Sequence, residues 1–213
     1  MVDNFVDWFV SIINLLHEDE FAQALVAYLL SKDWLEAKQQ TLVSPSSTYK
    51  WSLPPKGVLK LNIDGAFSAT NLCGGAGFIL QNDTGQVVHL GAKKNAASSP
   101  FCSEALALRE AVDHIVDKDL DPICVEFDCK ALVDAVQKKA TCPDWHVGIL
   151  VKELTAVFER CQELSLVYIS CSGNMAADWL AKEALKGLFS GGWASFPPTL
   201  LFKILHSDVL GSS

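Results

Sequence analysis

Between residues 58 and 67 the segment VLKLNIDGAF alternates, with Leu59, Leu61 and Ile63 on one side and Lys60, Asn62 and Asp64 on the other. A two-residue period is that of a strand with unlike faces. GGAGFILQND (74–83) reads as a second strand, Asp83-Thr84-Gly85 as a turn and QVVHLGA (86–92) as a third strand, so 74–92 is expected to form a hairpin. Ser99 followed by Pro100 is the pairing of a helix N-cap with a first-turn proline, and the helix should run to about residue 117. ICVEFD (123–128) reads as a fourth strand, followed by a short helix near 129–138. Val147, Leu150, Val151, Leu154, Val157 and Phe158 mark an amphipathic helix over 146–161. LSLVYIS (164–170) is the fifth strand and 174–187 the last helix. Three strands in succession, then alternation of strand and helix, predict an α/β fold: a mixed sheet with helices on its faces.

Outside this block the patterns differ. In residues 2–38 Phe5, Trp8, Phe9, Ile12, Ile13 and Leu16 recur at helical spacing, and Phe21, Leu25, Tyr28, Leu29 and Leu30 repeat the theme after an acidic break. Such an apolar helical pair needs a surface to pack on, in this chain or a protein partner. The polar stretch QQTLVSPSSTYK (39–50) reads as a linker. The chain therefore divides into a helical extension (1–38), a linker (39–50), an α/β domain (51–187) and a tail (188–213) that is Gly- and Pro-bearing, then apolar at Leu200, Leu201, Phe202, Ile204 and Leu205.

Half of the 213 residues are hydrophobic, enough to bury a core and to exclude wholesale disorder. The net charge of −8, with Arg109 and Arg160 as the only arginines, excludes a charge-driven coater of nucleic acid. The seven cysteines are dispersed without a CxxC pair, which predicts free, mostly buried thiols in a reducing compartment rather than a zinc site. No hydrophobic stretch approaches the roughly 20 residues of a membrane span, and the start of the chain lacks the basic flank of a secretory signal. The expectation is a soluble intracellular protein, nuclear or cytoplasmic, and monomeric.

Four carboxylates are oddly placed. Asp64 ends the polar side of the alternating strand, and if that strand is internal its polar side must open onto a cleft or be unusually wet. Glu104 lies beside the apolar stripe of Leu108, Ala111, Val112 and Ile115, where a carboxylate is costly unless paired or bound to metal. Asp128 ends the apolar run 123–127, and Asp178 lines up with Ala181 and Leu185 on the last helix. Each also admits an ordinary reading: turn residue, helix-start acid, N-cap, surface residue. Taken together they could converge on one point and bind hard divalent cations, Mg²⁺ by default.

The runs LNIDGA, GGAGFIL, SEALALREAV, VEFDCKALVDAV and NMAADWLAKEA, in this order, resemble ribonuclease H. They are most similar to the reverse-transcriptase-like ribonuclease H domains of plant non-LTR retroelements and their host-encoded relatives. The resemblance implies an RNase H-like fold with a five-stranded mixed sheet in the order 3-2-1-4-5. It implies Asp64, Glu104, Asp128 and Asp178 as catalytic and metal-ligating residues for two Mg²⁺ ions, with Mn²⁺ as a substitute. The implied reaction is endonucleolytic hydrolysis of the RNA strand of an RNA–DNA hybrid, leaving 5′-phosphate and 3′-hydroxyl ends. Substrate contacts are expected at Gly65, Gly74, Gly75, Asn82, Ser103 and Asn174, although glycines beside a hairpin also serve turn geometry.

Two departures from the family pattern stand out. The stretch Ile169–Asn174 lacks the His or Arg that many relatives carry after the fifth strand, and there is no Lys- and Trp-rich insertion. A slow enzyme is therefore expected. Other readings are a domesticated relic that binds nucleic acid without cutting it, and a protein-interaction module. Trp145 is expected as a core anchor, Lys138 and Lys139 as a solvated helix end, and His89 and His114 have no evident partner.

Overall fold

The computed structural model describes residues 50–210, apart from 117, 119–121 and 143. The helices expected at 1–38, the linker up to residue 49 and the end of the tail from 211 lie outside the described residues. Strands β1 (Leu59–Ser68), β2 (Cys73–Gln81) and β3 (Val87–Ala96) come first. Helix α1 (Pro100–Ile115) leads to β4 (Ile123–Phe127), and α2 (Lys130–Val136) and α3 (Gly148–Arg160) lead to β5 (Leu164–Tyr168). Helices α4 (Met175–Lys186) and α5 (Thr199–Leu210) follow.

The sheet order is β3-β2-β1-β4-β5, the order implied by the resemblance. β1–β2 and β2–β3 are antiparallel, whereas β1–β4 and β4–β5 are parallel. β1 is thus central. Its apolar side (Leu59, Leu61, Ile63) joins Phe78 and Leu80 of β2, Val125 and Phe127 of β4, and the inner faces of α1, α2 and α3 in the main core. On the opposite side of the sheet, Ile79 and Leu90 pack with Ala176 and Leu180 of α4 and Leu201 of α5.

Local chemistry explains the element ends. Cys102 N–H donates to Ser99 Oγ at 3.0 Å, so Ser99 caps α1 and Pro100 occupies its first turn, as expected. Gly187 terminates α4 in the left-handed region (φ +76°), a conformation that glycine adopts at little cost. α4 lies directly against β2 because that strand has no side chain at the two positions facing the helix. A Cβ on Gly77 would stand 2.3 Å from Ala181 N, and one on Gly75 would stand 2.3 Å from Ala181 O.

Several expectations are corrected. β3 extends to Ala96, four residues past the expected end. The tail contains α5, of whose residues only Leu201 is fully buried. The cysteines are free: Cys171 is exposed and the other six are partly buried, the Cys129 thiol itself being the most enclosed. Trp145 is no core anchor: it is 80% exposed and lies against His146, with ring centroids 3.5 Å apart. His89 and His114 do have a partner, namely each other, stacked at 4.3 Å beside Phe78. Among the described residues no helix is long and apolar enough to cross a membrane.

Candidate active site

Parallel pairing of β1 with β4 sets Ile63 opposite Phe127, so Asp64 and Asp128 emerge side by side, one residue further along. Both stand at the carboxyl end of the parallel pair, the usual place for chemistry in open α/β sheets. Helix α1 brings the third acid. Ser103 Oγ donates to Ala66 O at 2.6 Å and Gly65 N–H donates to Glu104 Oε2 at 2.9 Å, which staples the first turns of α1 to β1. The staple needs a glycine, because a Cβ on residue 65 would lie 2.7 Å from Glu104 N. Asp64 and Glu104 are each only 8% exposed.

Asn174, at the start of α4, ties the strands together. Its Nδ2 donates to Ile63 O at 2.7 Å and to Asp128 Oδ1 at 3.2 Å. Its Oδ1 is buried and has no hydrogen-bond partner among the described residues. Such an atom normally finds a polar ligand or water.

Cys129 reports the electrostatics of this corner. Burial pushes its thiol far above the ordinary range, and the negative charges of Glu104, Asp128 and Asp64 push it the same way. All three acids therefore lie within electrostatic reach of one buried thiol, which stays protonated and is no nucleophile. Tyr168 is held above its usual value by burial, then by Cys171 and Asp128.

Asp178 is placed differently. It lies one helical turn after Asn174, its side chain is 42% exposed, and its Oδ2 pairs with Lys182 Nζ at 2.7 Å. The structure brings together three of the four expected acids and leaves Asp178 at the rim. Among the described residues no three His, Cys, Asp or Glu side chains are already gathered as ligands of one ion. The donor chemistry of Asp64, Glu104 and Asp128 nevertheless suits a hard cation, and the orphaned Asn174 Oδ1 beside Asp128 marks an unmet polar demand in the same corner.

The expected substrate residues do different work. Gly65 and Ser103 form the staple between α1 and β1. Gly74 is overlaid by Asn95, whose Oδ1 would be 2.2 Å from a Cβ there. Gly75 has its open side filled by the α4 backbone, so its visible work is close packing. Asn82 belongs to the hairpin turn, where its Oδ1 accepts from Thr84 N, Thr84 Oγ1 and Gln86 N, and β1–β2 pairing puts it at the end of β1 away from Asp64. Only Asn174 directly touches one of the acids through its side chain.

One group escaped sequence reasoning. The polar side of β1 is not a wet cleft. Lys60 and Asn62 are buried beneath Trp51 and joined to Glu126 of β4. The signal was present in the Lys60/Asn62/Asp64 alternation, but nothing in the pattern said what would cover it.

The family model for reverse transcriptase-like domains matches residues 62–184, a span that includes all four acids and Asn174. The chain belongs to the reverse transcriptase-like family. No curated protein matches it. Among solved structures it is similar to LC11-RNase H1, isolated from compost by a metagenomic approach: 21% identity over 63% of this chain and 99% of that one, with a TM-score of 0.56. RNase H1 of the archaeon Halobacterium salinarum gives 22% identity over 62% of this chain and 99% of its own, TM-score 0.53. The N-terminal RNase H domain of a Mycobacterium tuberculosis protein gives 17% identity, 62% and 96% coverage, and a TM-score of 0.55. At these identities the likeness establishes the RNase H-like fold of this reverse transcriptase-like chain.

Proposed function

We propose that the domain is a metal-dependent endonuclease that hydrolyses the RNA strand of RNA–DNA hybrids, leaving 5′-phosphate ends. The observation that carries this reading is the convergence of Asp64, Glu104 and Asp128 around one buried corner, with Asn174 fixing the last of them. LC11-RNase H1, which has the same fold, was solved in complex with an RNA/DNA hybrid.

Asp64, Glu104 and Asp128 would hold Mg²⁺ or Mn²⁺, with Asp178 as a further ligand from the rim. When bound, a pair of such ions supplies Lewis-acid activation of water and stabilises charge on the leaving oxygen. The chain's own residues do the positioning. Gly65 N–H fixes one oxygen of Glu104, Asn174 fixes one oxygen of Asp128, and the parallel register of β1 and β4 fixes the spacing of Asp64 and Asp128. Asp178 must leave Lys182 to serve as a ligand. With no basic residue between Ile169 and Asn174 to assist water attack or product release, turnover is slow.

The test is incubation of the full chain with a strand-labelled RNA–DNA hybrid and Mg²⁺ or Mn²⁺. Cleavage of the RNA strand by wild type, lost in Asp64→Asn and Asp128→Asn, supports the reading. Hybrid binding without cleavage above the Asp64→Asn control would assign the domain to the non-cutting class instead.

A further inference from the structure

Residues 50–52 precede β1 and lie ahead of the family-matched span. They nevertheless reach the supports of the candidate site on two sides. Trp51 is buried, and its Nε1–H donates to Asn62 Oδ1 at 2.9 Å. Asn62 Nδ2 in turn donates to Glu126 Oε2 at 3.0 Å, and the other oxygen of Glu126 pairs with Lys60 Nζ at 2.8 Å. Lys60 Nζ also donates to Ser52 O at 2.6 Å and sits 5.1 Å from the centre of the Trp51 ring. This is a closed network. Both ends of the Asn62 amide and both Glu126 oxygens are used, and the lysine's charge is met by carboxylate, carbonyl and indole face.

The network sits two residues behind each of two site acids. Asn62 precedes Asp64 on the same side of β1, and Glu126 precedes Asp128 in register on β4. A bond between Asn62 and Glu126 therefore clamps the two strands just before the acids emerge. The second reach is through the backbone. A Cβ on Gly173 would lie 3.7 Å from Trp51 N and 3.9 Å from the carbonyl carbon of Lys50, so the strap lies against the residue before Asn174, whose amide holds Asp128.

We propose that Trp51 is a positioning residue of the site: the strap it anchors sets the separation of Asp64 and Asp128 through the Asn62–Glu126 clamp and seats Asn174 through Gly173. The inference rests on the metal-dependent reading of the site. It adds a determinant outside the matched domain and predicts that a chain cut at residue 57 would keep the acids and lose their spacing.

The experiment compares full-length wild type, W51F, N62S and V151A. W51F keeps a ring in place and removes the indole donor, and N62S removes the clamp itself should W51F fail to fold. V151A truncates a buried α3 side chain on the other side of the sheet and serves as the stability control. Three measurements are made: melting temperature, Mn²⁺ affinity by calorimetry, and the kinetics (kcat and KM) of hybrid cleavage. Residues that orient metal ligands typically change affinity or activity by about 10- to 100-fold when mutated. W51F and N62S are expected to weaken Mn²⁺ binding about tenfold and to lower kcat about tenfold with KM little changed. V151A should lower the melting temperature and leave both constants near wild type. If W51F and N62S behave like V151A, the positioning role is wrong and the network is merely structural. If wild type binds Mn²⁺ but cuts no hybrid, the nuclease reading fails and the strap is still judged by Mn²⁺ affinity. If wild type binds no Mn²⁺, both fall.

Discussion

Gly77 offers a sharp test of how α4 is seated. It lies in the middle of β2, and a methyl group there would meet Ala181 N at 2.3 Å, Ala177 O at 2.7 Å and Leu180 C at 2.8 Å. All three atoms are helix backbone, so no side chain can swing aside. Ordinary contact begins near 3.4 Å, and α4 would have to lift by about 1 Å along most of its buried face. Overpacking of this kind costs typically 1–3 kcal/mol, and an unyielding backbone neighbour argues for about 3. The loss of chain entropy in the unfolded state gives back about 0.5–1 kcal/mol. A net destabilisation of about 2–2.5 kcal/mol remains, which at about 2–4 °C per kcal/mol for a domain of this size lowers the melting temperature by about 4–10 °C.

The same substitution at Gly148 should do the opposite. Gly148 leads α3 with helical angles (φ −58°, ψ −33°), and a Cβ there would meet nothing within 4 Å. Gly148→Ala is therefore expected to stabilise by about 0.5–1 kcal/mol. Thermal unfolding followed by circular dichroism decides both. A melting temperature for Gly77→Ala equal to or above that of Gly148→Ala would refute the packing argument, because the methyl group meets helix backbone at one site and open space at the other. Lifting α4 also pulls Asn174 from Asp128, so Gly77→Ala should weaken divalent-ion binding as well.

Two pH dependences follow from charge placement. His89 and His114 are both held below the ordinary imidazole value: His89 by burial, then His114 and Lys118, and His114 by burial and Lys118 against the opposing pull of Glu110. The folded state thus takes up these protons less readily than the unfolded state, so stability should fall as pH drops below about 6.5. His114→Gln should flatten that part of a melting-temperature profile from pH 8 to 5, and a profile superimposable on wild type would contradict the stacked pair. Asp208 behaves oppositely: burial raises it from 3.8 to about 6. Its stabilising contribution is present below pH 3.8 and lost as pH rises through about 6. The shift corresponds to at most about 3 kcal/mol, and its partial exposure reduces this to about 1 kcal/mol. Asp208→Asn should accordingly raise the melting temperature by about 2–4 °C at pH 7.5 and by nothing at pH 4. A gain equal at both pH values would point to packing rather than charge.

The fold was legible because its strands and helices announce themselves locally. Leu59, Leu61 and Ile63 alternate, Ser99-Pro100 caps, and strand and helix take turns after residue 100. What stayed hidden depends on contacts between distant residues. The glycines of β2 read as hairpin chemistry because a sequence shows a missing side chain but not the helix that fills the space. His89 and His114 are 25 positions apart, and only the pairing of β3 alongside α1 makes them neighbours. Helix α5 was obscured because the apolar run Leu200–Phe202 masks the helical spacing of Leu201, Ile204 and Leu205.

At the site the limit was different in kind. The acids drew notice one by one, because a carboxylate on an apolar stripe is costly wherever it occurs. Sequence could not rank them, and the ranking is where the structure speaks. Asp64, Glu104 and Asp128 share one buried thiol as a neighbour, whereas Asp178 is half in solvent and already has a lysine. An acid that must first give up an ion pair contributes less to holding a cation than three whose charges are confined together, since exposed pairs are worth only about 0–1 kcal/mol and confined like charges gain from neutralisation. Asp178→Asn should therefore reduce Mn²⁺ affinity far less than Asp128→Asn in the same calorimetric titration. An equal loss would mean that Asp178 joins the site before the cation arrives, and that the Lys182 contact exerts no hold on it.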